Sequence, residues 1–117
     1  MPSGMKVGYK DALIQTEMGV EIMLKVAVLI NGVDQQFEGL RTSLGLLCAN
    51  AEVQMFVLHH EIGNMNAVYR ENLEWFEEME GEYFSDNQTN VKKHGFKHAT
   101  IEEIAPRLKE ADIIIPF

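Results

Sequence analysis

Met23-Leu24-Lys25-Val26-Ala27-Val28-Leu29-Ile30-Asn31-Gly32 is the stretch that decides the fold. It is rich in aliphatic and β-branched residues, has the length of a strand, and is closed by a glycine. Val26 to Ile30 is apolar at every position, whereas a strand with one wet face alternates. The run is therefore expected to be a strand covered on both faces, as in the interior of a parallel sheet.

Downstream, Asp34 stands where it can cap a helix. Phe37, Leu40, Leu44, Leu47 and Cys48 then recur at helical spacing and make one apolar stripe. Glu52-Val53-Gln54-Met55-Phe56-Val57-Leu58-His59 reads as a second strand, alternating at first and apolar later. Residues 64–79 carry a second helical stripe of Met65, Tyr69, Leu73, Phe76 and Met79, stopped by Gly81. Glu82-Tyr83-Phe84-Ser85 is a short third strand, and residues 87–94 a brief third helix ended by Gly95. Thr100 and Glu103 have the spacing of a capping box, with Ile101, Ile104, Leu108 and Ala111 expected on the inner face of a fourth helix. Pro106 is expected to kink or restart that helix. Ile113-Ile114-Ile115 is the final strand.

Upstream, Met1 to Ile22 mixes glycines and charges without a sustained period, and only Asp11 to Met18 has the makings of a short helix. It reads as an N-terminal arm to a single domain over residues 23–117. Gly19-Val20 can also be encoded by a purine-rich ribosome-binding sequence, so a start at Met23 stands beside a genuine arm.

Strands alternating with helices predict an α/β domain, three layers α/β/α, with a mostly parallel sheet of four to five strands. Right-handed crossovers gather the loops that follow strands along one carboxyl edge, where such folds place their sites. The loops to search are residues 32–36, 59–64 and 85–90.

The chain has 117 residues, 46% of them hydrophobic and 24% charged, too apolar for disorder. Eighteen acidic against 10 basic residues leave a net charge of −8, which argues against capture of nucleic acid or of an anionic membrane. One cysteine excludes an internal disulfide and a multi-thiolate zinc site. With no secretory pattern, and no apolar run near the ~20 residues of a membrane helix, the chain reads as cytoplasmic.

Three stretches resemble the DsrE/DsrF-like (YchN-like) family of small sulfur-relay proteins. Lys25 to Gly32 is similar to that family's first strand and loop. Leu40 through Leu58, with Ala49-Asn50-Ala51-Glu52-Val53 and Met55-Phe56-Val57-Leu58, is similar to its first helix and second strand. Thr100-Ile101-Glu102-Glu103-Ile104 through Lys109 to Phe117 is similar to its closing helix and final strand. These are patterns of apolar positions spread over most of residues 23–117. The resemblance implies a homo-oligomer, trimer or hexamer, or assembly with related sulfur-relay subunits. It also implies a persulfide-bearing Cys just after the third strand, a few residues before a Gly. Counting back from Gly95, that place falls at Asn87 or Asn90. An amide cannot form a persulfide, which needs a thiolate.

Cys48 is expected to pack in the core near the carbonyl end of its helix, where a thiolate is disfavoured, and is a weak catalytic candidate. His59-His60-Glu61 invites a metal reading, but neighbouring residues on a strand diverge. His94 and His98 are expected toward the opposite edge of the sheet. No metal site and no cofactor follow from these residues. Gly32 alone makes no phosphate-binding loop, and Asp34 would repel phosphate. Residues 71–86 hold seven acidic residues and no basic one, which reads as a solvated face. Trp75 departs from the inner stripe of its helix, pointing equally to a subunit contact or to a ring folded along the helix edge. The seven methionines read as core filler.

The expectation is a sulfur-relay-like protein without the sulfur-bearing Cys. It would act as an oligomeric subunit or a partner- or ligand-binding module, with an edge pocket of Gly32, His59, His60, Asn87 and Asn90. Two alternatives stand beside it, a sulfurtransferase using Cys48 and a flavodoxin-like domain for a small ligand.

Overall fold

A computed structural model of the protein describes residues 13–15 and 21–117. Strands β1 (Leu13–Gln15) and β2 (Glu21–Met23) pair antiparallel as a two-stranded sheet. Residues 13–15 are thus extended, where the sequence pattern allowed a helix over Asp11 to Met18. The remainder of that expected helix lies outside the described residues.

Strand β3 (Lys25–Ile30) is flanked on one side by β4 (Glu52–Val57) and on the other by β7 (Ile113–Pro116). Beyond β4 come β5 (Glu82–Ser85) and β6 (Lys97–His98), so the order is β6-β5-β4-β3-β7 and every pairing is parallel. Both faces of β3 are covered, as its unbroken apolar run requires. Val26, Val28 and Ile30 join Val53, Met55 and Val57 in a core that also holds Leu40, Leu73 and Phe76. Ala27 and Phe56 face the other way, with Phe84, Ala99 and Ile104.

Helices α1 (Gln36–Cys48), α2 (Ala67–Glu78) and α3 (Gln88–His94) contribute to the first core, and α4 (Ile101–Glu110) to the second. The result is a three-layer α/β fold. The chain steps outward from β3 to β6 with right-handed crossovers on one face. It then returns across the sheet to β7, so the same handedness sends α4 to the opposite face.

Local details follow from single residues. A Cβ on Gly39 would lie 2.3 Å from Cδ1 of Ile30, so the glycine lets α1 approach β3 closely. Gly95 has φ +78° and ends α3 in the left-handed region. Asp34 caps nothing: Val33–Gln35 forms one 3-10 turn, and α1 begins without a side-chain cap. Helix α4 runs through Pro106 to Glu110 without restarting. Ile101, expected on its inner face, is exposed. Strand β6 was not legible in the sequence, because two residues carry no period.

The expected capping box is present. The Thr100 hydroxyl accepts from the Glu103 amide, and the Glu103 carboxylate accepts from the Thr100 amide. Those bonds hold the Glu103 carboxyl below its ordinary 4.5, and a hydrogen bond from Gln54 does the same for Glu82. The stability they contribute is present above that pH and is lost as the pH falls through the lowered values. Thr100→Ala is expected to cost about 1 kcal/mol and to lower the thermal midpoint by about 5 °C, read by calorimetry.

Candidate functional site

Strands β3, β4 and β5 deliver residues 31–36, 58–66 and 86–87 to one edge, and the central loop is held by side chains from both sides. Asn90, fully buried, donates from Nδ2 to the His60 carbonyl (3.0 Å) and to Ser85 Oγ (3.0 Å). Its Oδ1 accepts from the Ile62 amide at 2.9 Å. Asn87 caps α3, accepting from the Thr89 and Asn90 amides, and donates from Nδ2 to the His59 carbonyl. Asp86 accepts from the His59 amide at 2.7 Å and stands 3.5 Å from His59 Nδ1. From the other side, Gln36 donates to the Glu61 carbonyl and accepts from the Gly63 amide.

Ser85 completes the knot. Its hydroxyl donates to the Val57 carbonyl and accepts from the Asn87 amide and from Asn90 Nδ2, which uses its one proton and both lone pairs. None of these partners is a base that could take its proton to make it a nucleophile. His59 has φ +70°, a left-handed conformation that a non-glycine residue holds only when its surroundings fix it, as Asp86 and Asn87 do here.

The sequence-predicted pocket residues are brought to one edge but in different roles. Asn90, expected to face a ligand, is instead sealed off and spent on the loop. Asn87 is half-buried and serves as cap and tie. The Gly32 amide donates to the Phe117 carbonyl, as does that of Asn31. His59 and His60 are exposed beyond the end of β4, with ring centroids 6.4 Å apart.

His94 also belongs to this edge, not the opposite one, because α3 is short and its end turns back toward the central loop. Its Nε2 lies 3.9 Å from Glu61 Oε2, and its buried Nδ1 has no hydrogen-bond partner among the described residues. His98 pairs with Ser85 at the same edge, on β6. Among the described residues no group of three or more His, Cys, Asp or Glu is arranged to hold a metal ion. Cys48, expected in the core, is exposed at the last residue of α1, which places it at the amino edge, across the sheet from these loops.

Beside the clamped loop lies a cleft of about 440 Å³ between the 3-10 turn and the start of α2. Val33, Phe37, Ile62, Val68 and Tyr69 give it apolar walls, and Asp34, Gln36, Asn64 and Asn66 supply polar groups. None of the five sequence-predicted pocket residues lines it. The buried Tyr69 hydroxyl has no hydrogen-bond partner among the described residues, and burial pushes its ionisation far above the ordinary range. A usable signal for the cleft was Gln36. It shares a helical stripe with Leu40, Ser43 and Leu47, and a polar residue opening a buried stripe calls for partners.

Comparison with protein-family models, with curated proteins and with solved structures finds no match for this chain. No helix among the described residues is long and apolar enough to cross a membrane.

Proposed function

We propose that this chain is a sulfur-relay-like module that works by binding and not by carrying sulfur. The observation that carries the reading is the pair Asn87 and Asn90. The positions that the DsrE-like resemblance assigns to a thiol hold amides, and both amides are spent on fixing a loop. A loop tied at six backbone groups is preorganised, so little ordering entropy is lost when a ligand settles beside it. The cleft next to it is mostly apolar with one carboxylate, Asp34, which suits a small neutral or cationic molecule with an aromatic or aliphatic body.

On the same reading the protein is a cytoplasmic homo-oligomer, trimer or hexamer, or the partner of related sulfur-relay subunits. Strand β7 supports self-association: it is an edge of the sheet, and its Ile114 is exposed. One observation favours a second reading, a sulfurtransferase using Cys48, because that thiol is exposed. The flavodoxin-like alternative has less support, since the Gly32 amide is already engaged.

The binding reading is tested by titrating isotopically labelled protein with benzamide and with benzoate. Benzamide is expected to move the amide resonances of Gly63 and Asn64 with about millimolar affinity, and benzoate, facing Asp34, to bind several-fold more weakly. Undisturbed resonances with both, or tighter benzoate binding, would remove the cleft from consideration.

A further inference from the structure

Helix α2 uses Tyr69, Leu73 and Phe76 to bury one face, yet its apolar surface does not end there. Val68, Trp75 and Met79 lie seven and four residues apart, so they share a second stripe along the flank of the helix. All three are exposed, at 53%, 61% and 40%. Trp75 and Val68 line a shallow groove of about 450 Å³ together with Asn72, Glu71, Glu74 and Glu78. Val68 also belongs to the carboxyl-edge cleft, so the apolar surface is continuous from one to the other.

The charges around this stripe have one sign. Helix α2 carries four glutamates against a single arginine, Arg70, and Glu80 follows it. The one cation of α1, Arg41, is already shared between the Phe37 ring and Glu38. A large exposed tryptophan within an acidic rim is the anatomy of an interface centre, an aromatic anchor ringed by charge. A second copy of this chain is a poor occupant, because a two-fold contact would set glutamate against glutamate in a protein of net charge −8. Nucleic acid and anionic membrane are repelled by the same rim.

We propose that the flank of α2 is a docking surface for a basic amphipathic helical segment of a partner protein. The partner's apolar residues cover Val68, Trp75 and Met79, and its Lys or Arg side chains meet Glu71, Glu74 and Glu78. The complementary charge sets specificity and speeds encounter, and the apolar stripe holds the complex. The surface shares Val68 with the cleft, but its test is read at Trp75 and that of the cleft at Gly63 and Asn64.

Trp75 is the only tryptophan in the chain, so its fluorescence reports the surface directly. The probe is a peptide of about 18 residues with Leu at helical spacing and Lys elsewhere, and the control carries Glu for Lys. The basic peptide is expected to shift Trp75 emission to the blue and to bind at least tenfold more weakly when salt rises from about 50 to about 300 mM. The acidic control is expected to leave emission unchanged. The triple exchange Glu71→Gln, Glu74→Gln, Glu78→Gln is expected to weaken the basic peptide by about tenfold, and Val68→Ser by several-fold. All four side chains are exposed, so the fold is retained, as circular dichroism would verify.

Absence of a blue shift, equal response to both peptides, or binding indifferent to the triple exchange would overturn the proposal. So would a blue shift that appears on raising protein concentration alone, which would give the surface to a second copy.

Discussion

Asn90→Leu is expected to cost about 4 kcal/mol and to lower the thermal midpoint by about 15 °C. The leucine fits the volume but supplies neither donor nor acceptor. It leaves the Ile62 amide without its acceptor in a dry site, and deprives the His60 carbonyl and Ser85 Oγ of their donor. An orphaned buried donor costs about 1–3 kcal/mol, and the lost bonds add to that. Asn87→Ala serves as the comparison. It removes a helix cap and one tie from a half-buried position, and should cost about 1 kcal/mol. Urea unfolding of the two variants checks the ranking. Equal losses, or less than about 1 kcal/mol for Asn90→Leu, would mean that the amide does not hold the loop.

The three hydrogen bonds of Asn90 mark the limit of what its place in the sequence conveys. The sheet was legible because strands β3 and β4 are apolar runs bounded by turn residues, and the helical stripes between them fix the crossovers. The parallel order then placed residues 32–36, 59–64 and 85–90 at one edge without further information. What each residue does there was not legible. Asn87 and Asn90 stand at the start of a short helix between a strand and a glycine, a place that suits a pocket as well as a clamp. Only the register of α3 against the central loop decides between them.

Cys48 and Asp34 failed for related reasons. Counting Phe37 and Cys48, both exposed, into the inner stripe of α1 rotated that stripe, although Leu44 does pack against the core. The buried positions are Gln36, Gly39, Leu40, Ser43, Leu46 and Leu47, two of them polar side chains that satisfy themselves inside. An apolar pattern cannot register a buried glutamine. Asp34 sits inside a 3-10 turn, and the cap positions fall on Gly32 and Gln35, so the capping geometry expected for the aspartate is never formed. His94 was misplaced because a seven-residue helix covers little distance, and its last residue still reaches the Glu61 side chain.

Carrying sulfur makes its own chemical demand. A carrier needs a thiolate that attacks a sulfane sulfur, keeps it as a persulfide while the donor's leaving group departs, and passes it to a second thiol. At the carboxyl edge no thiol exists, and the hydroxyl of Ser85 is saturated. The one thiol, Cys48, lies at the far edge of the sheet on the last residue of α1, where helix carbonyls and not amides are presented.

Intact-mass measurement after brief exposure of the native protein to thiosulfate or polysulfide, followed by addition of an acceptor thiol, is the most direct test of a protein that binds and does not carry sulfur. Sulfur uptake at Cys48, and its release to the acceptor, should be no faster than for a short peptide spanning Leu44 to Val53. A native protein that gains one sulfur atom and hands it on about tenfold or more faster than that peptide would show a built carrier site, and would contradict a protein that acts by binding.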